Sequence, residues 1–505
     1  MSAPLSASGS ITGATRLRPA AAPAPTLALA IVLAATAARL VVAAITPLSE
    51  DEAYYRLWSL RPALGYFDHP PMIAWMIWAG RQIAGDSAFG VRLLPTLATA
   101  LTSLVTFDLA RRIGCAERVA ARATIWLNAT ILVGLGGLLA APDAPAGLFW
   151  TATLWCAARA LEGRGAWWLA AGVAAGLSCL SKYSALFLAP GLLLWLAATA
   201  DGRRALATPW PWLAAVLAAA VFAPNVAWNA GHGWMTFQKQ FGRAEVSRFA
   251  PAYLAKLVVD QALLLNPLIT VFVILAIARR AAAPLLLASA PFAIYLVFHS
   301  LHDEVQGQWP APLYPSLAIA AAAAAETVRP GSWLARLRTA APIFGFAVAI
   351  ATFAFIVWPS DGRLPFPDPA RAYRGWPAFG AAIERARRAE GAGWIGTPNY
   401  GLAAQLADLP AIQAPAVEIY ERQRYSFELP AERADFSRPG LVVGDPRLLG
   451  AALNRCFASV TPLAPVVRGA GAGAIAYPAY RVAEPRRDVE RDGCVKPPDS
   501  NSHRP

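Results

Sequence analysis

Runs of about 20 apolar residues recur through the first 358 positions of this 505-residue chain. Each is long enough to cross a ~30 Å hydrocarbon core as a helix. The pattern predicts helices near 25–46, 88–110, 120–140, 146–161, 166–180, 184–200, 209–228, 253–278, 282–299, 312–326 and 339–358. Between the first two runs, 53–63 and 71–84 mix Tyr, Trp, Leu and Ile with few charges, as helices lying along a membrane surface do. From Trp358 onward the pattern shortens. Residues 359–375 are rich in Pro, Asp and Arg and read as a linker or strap. Beyond them the periods suggest a helix at 377–390, a strand at 393–397, a helix at 401–407, a strand at 440–444, a helix at 446–455 and strands at 459–467 and 473–482.

The predicted architecture is mostly α, a polytopic membrane helical bundle of about eleven crossings with a small C-terminal α/β domain. Its divisions are a cytoplasmic tail at 1–24, a membrane domain at 25–358 with a long first outer loop at 47–87, an α/β domain at 359–485, and a charged tail at 486–505 expected to be disordered. The first apolar run follows Arg16 and Arg18, as in a signal peptide, but exceeds a typical signal core and is read as a retained helix.

Composition sharpens this picture. With 57% apolar and 15% charged residues, an ordinary soluble protein is excluded. The net charge of +13 includes no basic run of five, so nucleic acid is not indicated. Sidedness accounts for it instead. Eleven crossings from a cytoplasmic start place Arg16, Arg18, Arg111, Arg112, Arg118, Arg122, Arg159, Arg164, Arg203, Arg204, Arg279, Arg280, Arg329, Arg336 and Arg338 inside, where short loops collect cations. The opposite loops carry Glu50, Asp51, Glu52, Asp68, Asp86, Asp143, Asp303 and Glu304. Cys115, Cys156 and Cys179 read as packing residues, whereas Cys456 and Cys494 lie in the outer region, where a disulfide is chemically allowed.

Candidate chemistry therefore lies on the outer side. The chain holds no P-loop, HExxH or paired CxxC, and its Asn128-Ala-Thr sits inside an apolar run rather than an exposed loop. Acids at 50–52 close the first helix and precede Gly65-Tyr66-Phe67-Asp68-His69-Pro70-Pro71; helix termination alone would account for them. Asp143, in a Pro-flanked turn, is a second carboxylate near membrane depth, a costly placement that marks a functional candidate, although it also suits a helix cap. Lys182 stands at another outer turn, where snorkelling competes with binding an anion. His299, His302, Glu304, Gln308 and Trp309, then Trp228, Asn229, His232, Trp234, Lys239 and Arg243, line further outer turns in which the aromatics also suit an interfacial belt. Carboxylates, cations and aromatics over a helical bundle fit chemistry on a lipid-linked anion.

At these residues the chain resembles a known family. SEDEAYYRLWSLRPALGYFDHPPMIAWMI, with APDAP, SKYSALFLAPGLLL and EVQGQWPAPLYPSLA, is similar to bacterial glycosyltransferase family 39 and its aminoarabinose-transferase relatives, polyprenyl-phosphate-dependent membrane glycosyltransferases of GT-C architecture. The likeness runs over about 25–330, and residues 398–407 (PNYGLAAQLA) more loosely resemble a motif of the family's periplasmic domain.

The resemblance implies a multi-pass bacterial inner-membrane enzyme, its site and C-terminal domain periplasmic, moving a sugar from a polyprenyl-phosphate donor to an envelope lipid, glycan or protein. It implies Asp51 as base or acceptor-orienting group with Glu52 beside it, Asp143 aligning hydroxyls, and His69, Lys182, Tyr183, Arg243, Tyr54, Asp68, Glu304 and Gln308 around donor and phosphate. The family precedent is inversion by single displacement. Aminoarabinose transferases carry Lys where this chain has His69, only partly charged at neutral pH. No cofactor is called for, and a divalent cation between Asp51, Asp143 and His69 is left open. The rival readings are a protein O-mannosyltransferase, differing in acceptor, and a lipid or polysaccharide transporter, which should show paired repeats or broken helices in both halves.

Overall fold

The computed structural model of the chain describes residues 25–242, 249–358, 370–420, 434–444, 449, 453–471, 474–489 and 493–494. Its first part is helical: α1 (Pro25–Ile45), α2 (Glu50–Leu60), α3 (Met72–Ala84), α4 (Ala88–Arg112), α5 (Glu117–Ala129), α6 (Ile131–Gly136), α7 (Asp143–Leu161), α8 (Trp167–Ser181), α9 (Leu188–Ala198), α10 (Ala200–Leu206), α11 (Trp210–Gly231), α12 (Met235–Gly242), α13 (Ala252–Leu264), α14 (Pro267–Arg279), α15 (Ala283–His299), α16 (Tyr314–Glu326) and α17 (Trp333–Val357). The C-terminal part adds α18 (Trp376–Ala389), α19 (Tyr400–Asp408) and the short α20 (Leu453–Cys456). Its strands are β1 (Trp394–Thr397), β2 (Ala416–Glu418), β3 (Gly440–Val443), β4 (Phe457–Arg468) and β5 (Ile475–Pro485).

Among the described residues four helices, α1, α4, α11 and α17, are each long and apolar enough to cross a membrane, or six spans if two bent pairs count as one each. Several of the other expected apolar runs are shorter than these helices or are broken. The run 120–140 breaks at Thr130, whose backbone is extended. The run 253–278 bends by 111° between α13 and α14. There Asn266 has φ +77°, and its amide donates to the carbonyls of Ala129 and Ala341 (3.1 and 2.8 Å), while Pro267 starts the next helix.

The first break has a partner across the bundle. Arg39 of α1 is buried and donates to the Asn128 side chain (3.2 Å) and to the Val133 and Gly134 carbonyls near the break (3.0 and 3.3 Å). Irregular backbone at membrane depth is tolerated where protein groups satisfy it, as here. Close helix crossings use small residues. A Cβ on Gly172 of α8 would lie 2.4 Å from the Ala214 carbonyl oxygen of α11, and one on Gly191 of α9 2.1 Å from that of Ala288 in α15.

The C-terminal sheet runs β2-β1-β3-β5-β4, with β1 parallel to β2 and β3, and β5 antiparallel to β3 and β4. Helix α19 makes the β1-to-β2 crossover. Trp376, Phe379 and Ile383 of α18 pack with Ile395, Leu441 and Val443. Trp394, Val442 and Ala403 share a second core with Tyr54, Leu57, Trp58 and Ile73 of α2 and α3, so the two parts are joined by apolar packing. The strand β2 has no counterpart in the sequence prediction, and most of the helix expected at 446–455 lies outside the described residues. Cys456 and Cys494 form a disulfide. Part of the tail expected to be disordered is packed: Val489 and Cys494 are buried, and the Cys494 amide donates to the Ile419 carbonyl (2.6 Å).

Candidate active site

The site starts at α2. Ser49 caps this helix and forms a reciprocal capping box with Glu52. Glu52 is buried and its carboxylate is fully occupied. Arg92 of α4 donates to both of its oxygens at 2.7 Å, the Ala140 amide donates at 3.0 Å, and Ser49 donates from backbone and hydroxyl at 2.9 and 3.0 Å. Burial pushes the Glu52 carboxyl up, but the Arg92 charge and these donors outweigh it and hold the group below the usual range. One position earlier, successive helical side chains diverge by about 100°. Asp51 is accordingly exposed, lines a cavity, and accepts a hydrogen bond from the Tyr400 hydroxyl of α19 (3.0 Å).

The cavity, about 540 Å³, gathers Asp51, Glu52, Tyr54, Asp68, His69, Asp143, Lys182, Gln308 and Tyr400. The same cavity is lined by Leu127, Leu132, Val133, Leu139 and Leu264. Asp143 opens α7, where a carboxylate suits the positive helix end, and pairs with Lys182 (2.6 Å) at the C-terminus of α8. Lys182 is thus not merely snorkelling, and Asp143 makes no side-chain cap. The Tyr54 hydroxyl donates to Asp68 (2.9 Å), which also pairs with Lys239 of α12. Helix α12 further fastens the 65–69 loop through Thr236 to the Tyr66 carbonyl (2.8 Å) and Gln240 to the Asp68 carbonyl. Tyr55 also lines the cavity; burial, then the charges of Asp51, Tyr400, Asp68 and Asp143, raises its phenol well above the usual range, so it stays a neutral hydroxyl.

Other predicted site residues fall elsewhere. Tyr183 is buried off the cavity, donating to Asn225 (2.9 Å) amid Phe222, Phe237 and Phe241, which ties α11 to the 183–187 turn. Glu304 is outside the lining and pairs with Lys256 at 3.4 Å on the surface. Arg243 lies outside the described residues. Asp51, Asp143 and His69 share the cavity, but among the described residues no three His, Cys, Asp or Glu side chains form a metal-binding group, and Asp143 is already engaged by Lys182. Arg92 and Tyr400 were missed. Tyr400 had a signal in the PNYG segment; Arg92 had none beyond being a charge inside an apolar run.

A family model for dolichyl-phosphate-mannose-protein mannosyltransferase matches residues 68–228. The lipid A galacturonosyltransferase RgtD of Rhizobium johnstonii is 34% identical over 221 residues, 41% of this chain and 44% of the relative. The undecaprenyl phosphate-alpha-4-amino-4-deoxy-L-arabinose arabinosyl transferase of Pseudomonas aeruginosa (strain LESB58) is 33% identical over 144 residues, 26% of this chain and 24% of the relative. The matched stretches thus span less than half the length of these curated relatives. The crystal structure of ArnT from Cupriavidus metallidurans, 16% identical, matches over 90% of this chain and 97% of that one, with a TM-score of 0.63 in the apo state and 0.61 bound to undecaprenyl phosphate. The chain shares the fold of that structure, mostly helical with a small sheet. The resemblance to polyprenyl-phosphate-dependent membrane glycosyltransferases holds in both sequence and fold.

Proposed function

We propose that this chain is an integral-membrane glycosyltransferase of the bacterial inner membrane, moving a sugar from a polyprenyl-phosphate donor to an envelope lipid or glycan on the periplasmic side. The observation that carries this reading is the cavity, in which charged groups share one space with a run of leucines and valine, matching a substrate with an anionic head and an isoprenoid chain. The names of the relatives, a lipid A galacturonosyltransferase and an undecaprenyl-phosphate aminoarabinose transferase, favour a lipid acceptor and an undecaprenyl-type carrier.

In this reading Asp51 takes the proton of the acceptor hydroxyl while that oxygen attacks the anomeric carbon from the face opposite the phosphate. The carbon–oxygen bond to phosphate breaks and its electron pair leaves on the polyprenyl phosphate, giving inversion. A positioned base of this kind contributes about 10²- to 10⁴-fold. Lys182, with His69 and Gln308, stabilises the leaving phosphate, and Asp143 orients Lys182 and the sugar hydroxyls. Glu52 acts through position, since its oxygens are taken by Arg92, Ser49 and Ala140. Tyr54 and Asp68 shape the 65–69 loop.

The test is transfer by purified protein in lipid from a panel of radiolabelled polyprenyl-phosphate sugars to envelope extract, for wild type and Asp51→Asn. Label in an acceptor with wild type alone supports the reading. Equal transfer by both removes Asp51 from the chemistry, and no transfer from any donor removes the enzyme.

A further inference from the structure

The C-terminal domain reaches into the cavity. Tyr400 is the first residue of α19, and the Asn399 side chain caps that helix by accepting from the Leu402 amide (2.8 Å), which fixes the direction in which Tyr400 leaves the backbone. Its hydroxyl donates to Asp51 Oδ1 at 3.0 Å across 349 positions of chain. Its ring lies against that of Tyr54, with centroids 4.6 Å apart. Three further contacts hold α19 on α2 and the turn before it. Gln405 donates to the Leu48 carbonyl (3.0 Å), Arg56 pairs with Asp408 (3.0 Å), and Gly401 passes so close to Glu50 that a Cβ would lie 2.7 Å from its carboxylate. Such a tethered phenol is aimed rather than adventitious.

Resting on the transferase reading, we propose that Tyr400 is a positioning residue for the base: it fixes the Asp51 carboxylate towards the cavity and keeps it ionised, so the C-terminal domain completes the site. A hydroxyl donated to a carboxylate favours the charged form. The surroundings pull both ways. Glu50, Tyr54, Tyr55 and the Arg92-paired Glu52 flank Asp51 on α2, Asp68 and His69 come from the 65–69 loop, Asp143 and Lys182 stand across the cavity, and Tyr373 and Arg468 belong to the C-terminal domain. The Tyr400 hydroxyl gives the Asp51 carboxylate a donor without adding a charge.

Tyr400→Phe isolates the hydroxyl, because the ring and its packing on Tyr54 remain. The first readout needs no turnover: pH-difference infrared spectra of the full-length protein in lipid, with the Asp51 carboxyl band identified as the one lost in Asp51→Asn. In Tyr400→Phe the Asp51 titration midpoint should rise by about one unit, the worth of one lost hydrogen bond to a charge. The second readout is transfer, where kcat should fall about 10-fold with KM for the donor little changed, and the acid limb of the pH profile should move upward by the same amount. An unmoved Asp51 titration overturns the proposal, and so does a variant whose only change is a lower thermal midpoint, since a mere brace would do that. A wild-type protein that transfers no sugar would defeat the transferase reading alone, while the infrared comparison still decides whether Tyr400 governs Asp51.

Discussion

Replacing Arg92 by Leu tests whether Glu52 is a structural anchor. The Arg92 side chain is fully buried and makes six hydrogen bonds: two to Glu52, and one each to the Ala43 carbonyl (3.2 Å), the Thr46 carbonyl (2.8 Å), the Thr46 hydroxyl (2.9 Å) and the Pro47 carbonyl (2.8 Å). It therefore ties the end of α1 to the start of α2. Removing it strands a buried carboxylate, and removal of one partner of a buried pair costs about 3 to 5 kcal/mol. The assay is a double-mutant cycle of wild type, Arg92→Leu, Glu52→Leu and the double variant, by chemical unfolding in mixed micelles followed through Trp fluorescence. The double variant should be more stable than the sum of the singles predicts by at least about 1.5 kcal/mol. Acid should act in a defined direction. The Glu52 carboxyl lies below its unfolded value of about 4.3, so the pair's contribution is complete above that pH and is lost as pH falls through the folded value. The gap between wild type and Glu52→Leu should accordingly narrow in acid. Single-variant effects that add to within about 0.5 kcal/mol would refute the anchor.

Three further outcomes follow from the geometry. Lys182→Met leaves Asp143 without its 2.6 Å partner and the cavity without that cation; transfer should fall about 100-fold, as for loss of one charge-stabilising donor, and an unchanged kcat/KM would remove Lys182 from the leaving-group role. Cys494→Ser opens a link spanning 38 positions, a loss of about 4 kcal/mol by loop entropy; the C-terminal domain should become trypsin-sensitive, as wild type should on reduction, and equal resistance would show the link to be dispensable. Glu304→Ala breaks a pair whose side chains are 46% and 34% exposed, worth about 0 to 1 kcal/mol; transfer and stability should stay at wild-type level, and a large loss of transfer would restore Glu304 to the site.

Apolar pattern located nearly every helix because a bilayer core filters for length and hydropathy. What it missed were the interruptions. The extended backbone at Thr130 is compensated by Arg39 from 91 positions earlier, and the turn at Asn266 by carbonyls of Ala129 and Ala341. Neither partner is visible in a local window, although Asn-Pro at 266–267 is a local breaker signal. In the C-terminal domain β1, β3, β4 and β5 were legible from their apolar runs. At three residues, β2 is too short to show alternation and exists through its parallel pairing with β1. Val489 and Cys494 lie in a charged, Pro-containing segment whose composition suggests disorder, yet the disulfide and the apolar core hold them.

The site divides along the same line. Asp51, Asp143, Lys182 and His69 were legible because ionisable groups beside apolar runs are costly and therefore conspicuous. The difference between Asp51 and Glu52 was not, since adjacent acids look alike in sequence and differ only in what the helix turns them towards. One meets Arg92 from 40 positions away and the other meets Tyr400 from 349. A residue's chemistry is written locally, whereas its freedom to act depends on long-range partners that saturate it or leave it facing the cavity. Glu52 is the saturated one of the two, and for that reason it is the poorer base in the proposed reaction: a carboxylate with five donors has no lone pair left for a substrate proton.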